Sequence, residues 1–285
     1  MQRLWTTFRY TYSWFRGQIL GWGLGIAALG LLIVAFYGVF FERQADFMKM
    51  VEAYPPEFLA FFGTSAQGLL TPGGYLGMYG FSLLPVIIGF FAVLAGSGLI
   101  ASDEERGRLD LVIAHPVGRT AFFFGRLLAL VGAITSILLL GWLGFCALLG
   151  GSALDVSWGE MALPFFSLFA QALIYATMAL LLSMLLPART YAAILSGLVM
   201  VVGYIVSSMA SLNPGLEKAA RLFPYTYFQG SQAFTDLNLT WLLVLTVISA
   251  GMALLAWVRF TRRDIRLSGE GSFRLGLPFI RQSGS

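Results

Sequence analysis

Six stretches of this chain contain no Asp, Glu, Lys or Arg: 17–41, 58–102, 127–154, 161–188, 190–216 and 237–258. A bilayer core about 30 Å thick is crossed by roughly 20 apolar residues of α-helix, so each stretch is long enough to span it. The pattern predicts an all-α membrane protein with six transmembrane helices. The second stretch runs to 45 residues, but Thr71, Pro72, Gly73 and Gly74 divide it and leave 58–70 too short to cross. That piece reads as an interfacial or re-entrant segment. Ahead of the first span, Leu4, Trp5, Phe8, Tyr12 and Phe15 recur at helical spacing with Arg3, Arg9 and Arg16 among them. This is the pattern of an amphipathic helix lying at the membrane surface, where it serves as an anchor or as a docking element. Tyr54-Pro55-Pro56-Glu57 reads as a helix start with proline at the first helical position, and 215–223 as a short helix ended by Pro224. The chain thus divides into an interfacial helix (1–16), a six-span domain (17–260) and a basic, flexible tail (261–285). Within the domain, one loop falls at 102–120 and three on the opposite side at 42–73, 152–160 and 213–236.

Composition agrees with this pattern. Only 11% of residues are charged and 58% are hydrophobic, and the mean hydropathy is +0.79. A soluble domain carries roughly 25% charged residues. The basic residues orient the spans, because Lys and Arg concentrate in short cytoplasmic loops. With the N-terminus inside, 14 of the 18 Lys and Arg fall on the cytoplasmic side, including Arg106, Arg108, Arg119, Arg126 and Arg189. If 58–70 also crossed, only 5 would remain there, so six spans with both termini cytoplasmic is the expected topology. The pI of about 9.3 is then an orientation signal and calls for no nucleic acid. A cleaved signal peptide does not fit the first span. Its run of 25 residues exceeds the roughly 7 to 15 of a signal h-region, and no small-x-small site follows near Phe41.

Several chemistries are disfavoured. A single cysteine, Cys146, and a single histidine, His115, leave no disulfide framework and no multi-cysteine metal site. No ionisable group occurs inside the six stretches, which argues against a proton relay or a charge-based ion site. Their polar residues are mild, and of these Gln171, Tyr175, Thr177, Tyr204 and Ser207 are candidates for a substrate path, against the alternative that they satisfy one another between helices. An intramembrane enzyme would rest on the acidic group Asp103, Glu104, Glu105 and Asp110 with His115. Arg106 and Arg108 neutralise that group at helical spacing, as in Glu104 with Arg108. No Gly-x4-Gly-Lys-Ser/Thr phosphate loop occurs, so any ATP that drives this protein must be bound by another chain. Gly21-x3-Gly25 and Gly73-x3-Gly77 match the close-packing motif of membrane helices, a pattern that 33 glycines also produce by chance.

The most informative stretch is 102–119. Physically it continues the second span into a charged helix with an apolar face of Leu109, Val112 and Ile113. Pro116 and Gly118 stop it, and Thr120 is placed to cap the next helix. Such a segment is either a lever for a soluble partner or a simple stop-transfer loop. Glu104-Glu105-x-Gly107-x-Leu109-Asp110-Leu111 followed by Pro116-Val117-x-Arg119 resembles the E-E-x-G-T-L-x-L-L…P-V-S-R signature of ABC-2 type ABC transporter permeases. Thr71-Pro72-Gly73-Gly74-Tyr75-Leu76 with Pro85 resembles a second element of that family, and the likeness extends over the chain. Arg108 and Gly118 depart from the usual Thr and Ser.

The resemblance implies a permease half that pairs with a second, identical or homologous half and with two cytoplasmic ATP-binding subunits. Those subunits hold the ATP and Mg, and this chain binds no cofactor. It implies a coupling helix in which Asp103, Glu104, Glu105, Gly107, Leu109, Val112, Pro116 and Arg119 meet the ATP-binding subunit. In that scheme Glu104 and Glu105 pair with basic groups of the partner and Leu109 and Val112 fill an apolar pocket. Arg119 then holds the loop to the phosphate region or to its own acidic helix. The expected function is export of an amphipathic or lipid-like substrate, a drug, antibiotic or lipid, across the lipid bilayer of a bacterial cytoplasmic membrane by alternating access. A non-transporting anchor or sensor subunit of an ATPase complex is the alternative.

Overall fold

In the computed structural model, the residues described are 2–43, 45–46, 49, 51, 55, 68–105, 107 and 118–262. They are nearly all helical, and six helices are long and apolar enough to cross a membrane. The spans are Arg16–Glu42, Pro72–Gly98, Arg119–Cys146, Trp158–Leu185, Arg189–Ala210 and Leu239–Arg262. Each predicted stretch overlaps one, and the differences at the ends have local causes. The second span starts at Pro72 because Thr71 caps it, its hydroxyl accepting from the Gly74 N–H at 3.0 Å. Of the segment 58–70, only Gly68–Leu70 is described, as a 3-10 turn; the rest, and the helix start at Tyr54, lie outside the described residues. The fourth span starts three residues early because Ser157 and Glu160 form a reciprocal capping box.

The third span departs most from expectation. It begins at Arg119, two turns before Leu127, and so takes Arg126 into the helix. Its N-cap is Gly118, in extended conformation and without a side-chain cap. Thr120 therefore lies inside the first turn and does not cap, which corrects the sequence expectation.

Packing is organised around the fourth span, 72% of whose most apolar window is buried, against 33% for the first, 28% for the fifth and 22% for the sixth. Those three turn most of their apolar surface outward, as helices solvated by lipid or covered by a partner do. The first and third spans cross closely: a methyl group on Gly144 would overlap the Ala27 backbone, and one on Gly30 would overlap the Phe145 ring. Gly96 likewise lets the second span rest on the Ala176 carbonyl of the fourth. Phe81, Phe145 and Phe165 meet pairwise with ring centroids 5.4–5.6 Å apart and join the second, third and fourth spans.

The N-terminal helix is Gln2–Trp14. It docks along the first half of the third span, with Leu4 and Thr7 over Gly125, and Phe8 and Tyr12 over Gly132. The Tyr12 hydroxyl and Ser136 Oγ are 2.7 Å apart. The loop after the fifth span folds back over the bundle. The expected helix at 215–223 is a 3-10 turn, Pro214–Leu216, followed by one helical turn, Glu217–Ala220, and Pro224 opens a further 3-10 turn.

Candidate functional site at the joint between the second and third spans

The second span ends at Gly98, and after a two-residue turn a five-residue helix follows, Ala101–Glu105. Ser102 steadies the turn by donating to the Gly98 carbonyl. Gly107, at φ 65°, is the one residue with positive φ among those described, a left-handed conformation in which glycine carries no side-chain penalty. Gly107 follows the acidic residues Asp103, Glu104 and Glu105.

That group is divided among three environments. Asp103 is buried, 6% exposed, and forms an ion pair with Arg126, itself 4% exposed. The same guanidinium donates through Nη1 to the Leu99 carbonyl, where the second span stops, and stacks over the Phe122 ring at 4.4 Å from its centroid. Its Nε has no hydrogen-bond partner. Glu105 is exposed and clasps the start of the fifth span: one oxygen lies 3.2 Å from Arg189 Nε, and the other accepts the Arg189 backbone N–H at 3.0 Å. Glu104 is half-buried between them; its expected partner Arg108 lies outside the described residues. Removing one member of a buried pair strands the other charge, at a cost of about 3–5 kcal/mol. An exposed pair contributes about 0.2–1 kcal/mol, so the two contacts differ in kind.

Arg119 serves a second contact at this end of the bundle. Its Nη1 donates to the Thr261 carbonyl at 3.2 Å, tying the start of the third span to the end of the sixth. Leu109, Val112 and Pro116 lie outside the described residues. Arg126 escapes the sequence reading because a charge-free window ends at any arginine. The signal that marks it is its setting, a lone cation between Phe122-Phe123-Phe124 and Leu127.

The candidate path residues fall into two groups. Gln171 and Tyr175, one turn apart on the fourth span, are fully buried, and their polar ends have no hydrogen-bond partner beyond one another. Thr177 returns its hydroxyl to the Leu173 and Ile174 carbonyls, at 2.8 and 3.3 Å. Tyr204 and Ser207 of the fifth span are covered by the folded-back loop, Tyr204 edge-on to Tyr225 at 5.1 Å and Ser207 2.7 Å from Thr226 Oγ1. A cleft of about 420 Å³ opens between the first, second and fifth spans, with Gln18, Trp22, Phe91, Leu94 and Arg189 in its walls. At the other end, a cavity of about 760 Å³ is lined by Thr71, Asp155, Glu160, Gln232 and Phe234, among others.

One family model, described as multidrug efflux system permease Rv1217c, C-terminal domain, matches residues 8–261 of the chain. No curated protein matches it significantly.

Proposed function

The chain belongs to the multidrug efflux system permease Rv1217c C-terminal domain family, and on that premise we propose that it is the membrane subunit of an ATP-driven exporter. The observation that carries this reading is the extent of the family match, from the N-terminal helix to the end of the sixth span. Two copies, or this chain and a homologue, would face two ATP-binding subunits that hold ATP and Mg. Closure of those subunits would push on the loop after Glu105 and rock the spans between two states, each nucleotide state favouring one of them.

The loop residues Glu104, Glu105, Gly107, Leu109, Val112, Pro116 and Arg119 are the proposed contact region, while Asp103 is turned inward to Arg126. Both termini are placed in the cytoplasm, on the arginine count, and the membrane is taken as the bacterial cytoplasmic one. Uncharged span interiors and the aromatic-walled cleft favour an amphipathic cargo, with Gln171, Tyr175, Thr177, Tyr204 and Ser207 as polar groups along its path.

Mild-detergent purification of the tagged chain from its native membrane, followed by mass spectrometry, tests this. An ATP-binding subunit is expected at one copy per copy of this chain. A chain that comes alone, even after cross-linking in intact membranes, would overturn the reading in favour of an anchor or sensor role.

A further inference from the structure

We propose that Asp103 and Arg126 form a fixed joint that makes the loop end of the second span and the third span move as one body, and that Glu105 and Arg189 form a breakable clasp to the fifth span. This rests on the reading above, in which an ATP-binding partner drives the loop.

The contrast in surroundings carries the argument. Arg126 reaches back from within the third span and holds three things at once: the Leu99 carbonyl at the stop of the second span, the Asp103 carboxylate and the Phe122 ring. Both charges are out of water. Parting them would leave each among apolar side chains, so the pair stays closed while its surroundings move. Glu105 and Arg189 are 41% and 44% exposed, and water can replace either partner, so this contact opens and closes at little cost. Its carboxylate also accepts the Arg189 backbone N–H at the start of the fifth span, where the helix dipole favours a negative charge. A push on the helix Ala101–Glu105 therefore carries the third span with it, and in the same stroke holds or frees the fifth. Asp103 and Arg126 are positioning residues; they act on the spans and not on nucleotide or cargo.

The test uses the complete complex in liposomes, with Cys146→Ala and spin labels at Leu128→Cys and Tyr191→Cys, both exposed on the third and fifth spans. The readouts are melting temperature, ATP hydrolysis and the change in label distance on trapping with ATP and vanadate. Asp103→Leu with Arg126→Met replaces the pair by apolar side chains, an exchange that in buried pairs is often neutral or stabilising. This variant is expected to melt near the parent and still hydrolyse ATP, but to lose the nucleotide-driven distance change. Arg189→Gln, which opens the clasp from the fifth span, is expected to keep that change.

A full distance change in the apolar double variant would make the joint merely structural and overturn the proposal. If that variant fails to fold, Arg126→Lys decides: it keeps the charge but cannot reach both Leu99 and Asp103, so a reduced change supports the joint and a full one removes it. A parent complex with neither hydrolysis nor a distance change would overturn the ATP-driven reading and the joint together. A normal parent with unaffected variants would remove the joint alone.

Discussion

Gly144 meets Ala27 where the first and third spans cross, and a side chain there would run into the Ala27 backbone, which cannot swing aside as a rotamer can. Gly144→Ala is therefore expected to destabilise by about 1–3 kcal/mol through overpacking, read as a lower melting temperature of the purified protein. Gly21→Ala and Gly25→Ala, where nothing lies within 4 Å, are expected to be neutral or stabilising by up to about 1 kcal/mol, since alanine is the better helix former. The sequence suggests the reverse, because Gly21-x3-Gly25 carries the close-packing spacing and Gly144 carries no motif with Gly30. In a water-soluble helix the polar side would reveal the buried face. Here both faces are apolar, one toward lipid and one toward protein, and that information is missing from the pattern. Arg126 was hidden for a related reason. Charge marks the end of a span by rule, yet a cation with a carboxylate and an aromatic ring beside it is stable inside the helix, and the partner that makes this so lies 23 residues earlier.

The loop after the fifth span shows how an element can be found and still be misjudged. Several of its aromatic residues turn inward: Phe223 packs on Gly203, Phe234 on Phe81, and the Tyr225 hydroxyl donates to the Ser82 carbonyl at 3.1 Å. Burial holds the Tyr225 phenol above its ordinary pKa, with Tyr204 and Tyr175 nearby adding to the shift, so it remains a donor at physiological pH. Contacts of this sort have no period along the chain, whereas the spans are legible as unbroken apolar runs. The residue that fastens the loop is Gln229, 1% exposed. Its side-chain amide donates to the Asn238 carbonyl at 3.1 Å and its oxygen accepts the Asn238 N–H at 2.6 Å, while its backbone N–H reaches Ser167 Oγ at 2.9 Å. Asn238 in turn accepts from the Thr240 and Trp241 N–H groups and so caps the sixth span. Gln229→Leu strands both Asn238 backbone groups, at a cost of about 1–3 kcal/mol. Hydrogen exchange is expected to quicken across 224–238 and not in the second and fourth spans; unchanged protection of the loop would show that Gln229 does not hold it.

At the scale of the molecule, the number of spans and their order follow from run length, and the expected orientation follows from where arginine sits. Orientation is open to direct measurement, because Cys146 is the one cysteine and is buried and so stays silent toward an impermeant thiol reagent. Ser152→Cys is expected to react only from outside intact cells and Gly118→Cys only in inverted vesicles; the opposite result would reverse the topology. The charge distribution has one more consequence. Among the described residues no Asp, Glu, Lys, Arg or His sits in the middle of a span, and Arg126, two turns into the third, is matched by Asp103. One elementary charge crossing 100 mV exchanges about 2.3 kcal/mol with the membrane field, and these helices carry no net charge through it. The rocking proposed above would therefore be electrically silent. With a neutral cargo, turnover in liposomes should be the same with or without an imposed potassium diffusion potential, and any voltage dependence that does appear reports the valence of what is being carried.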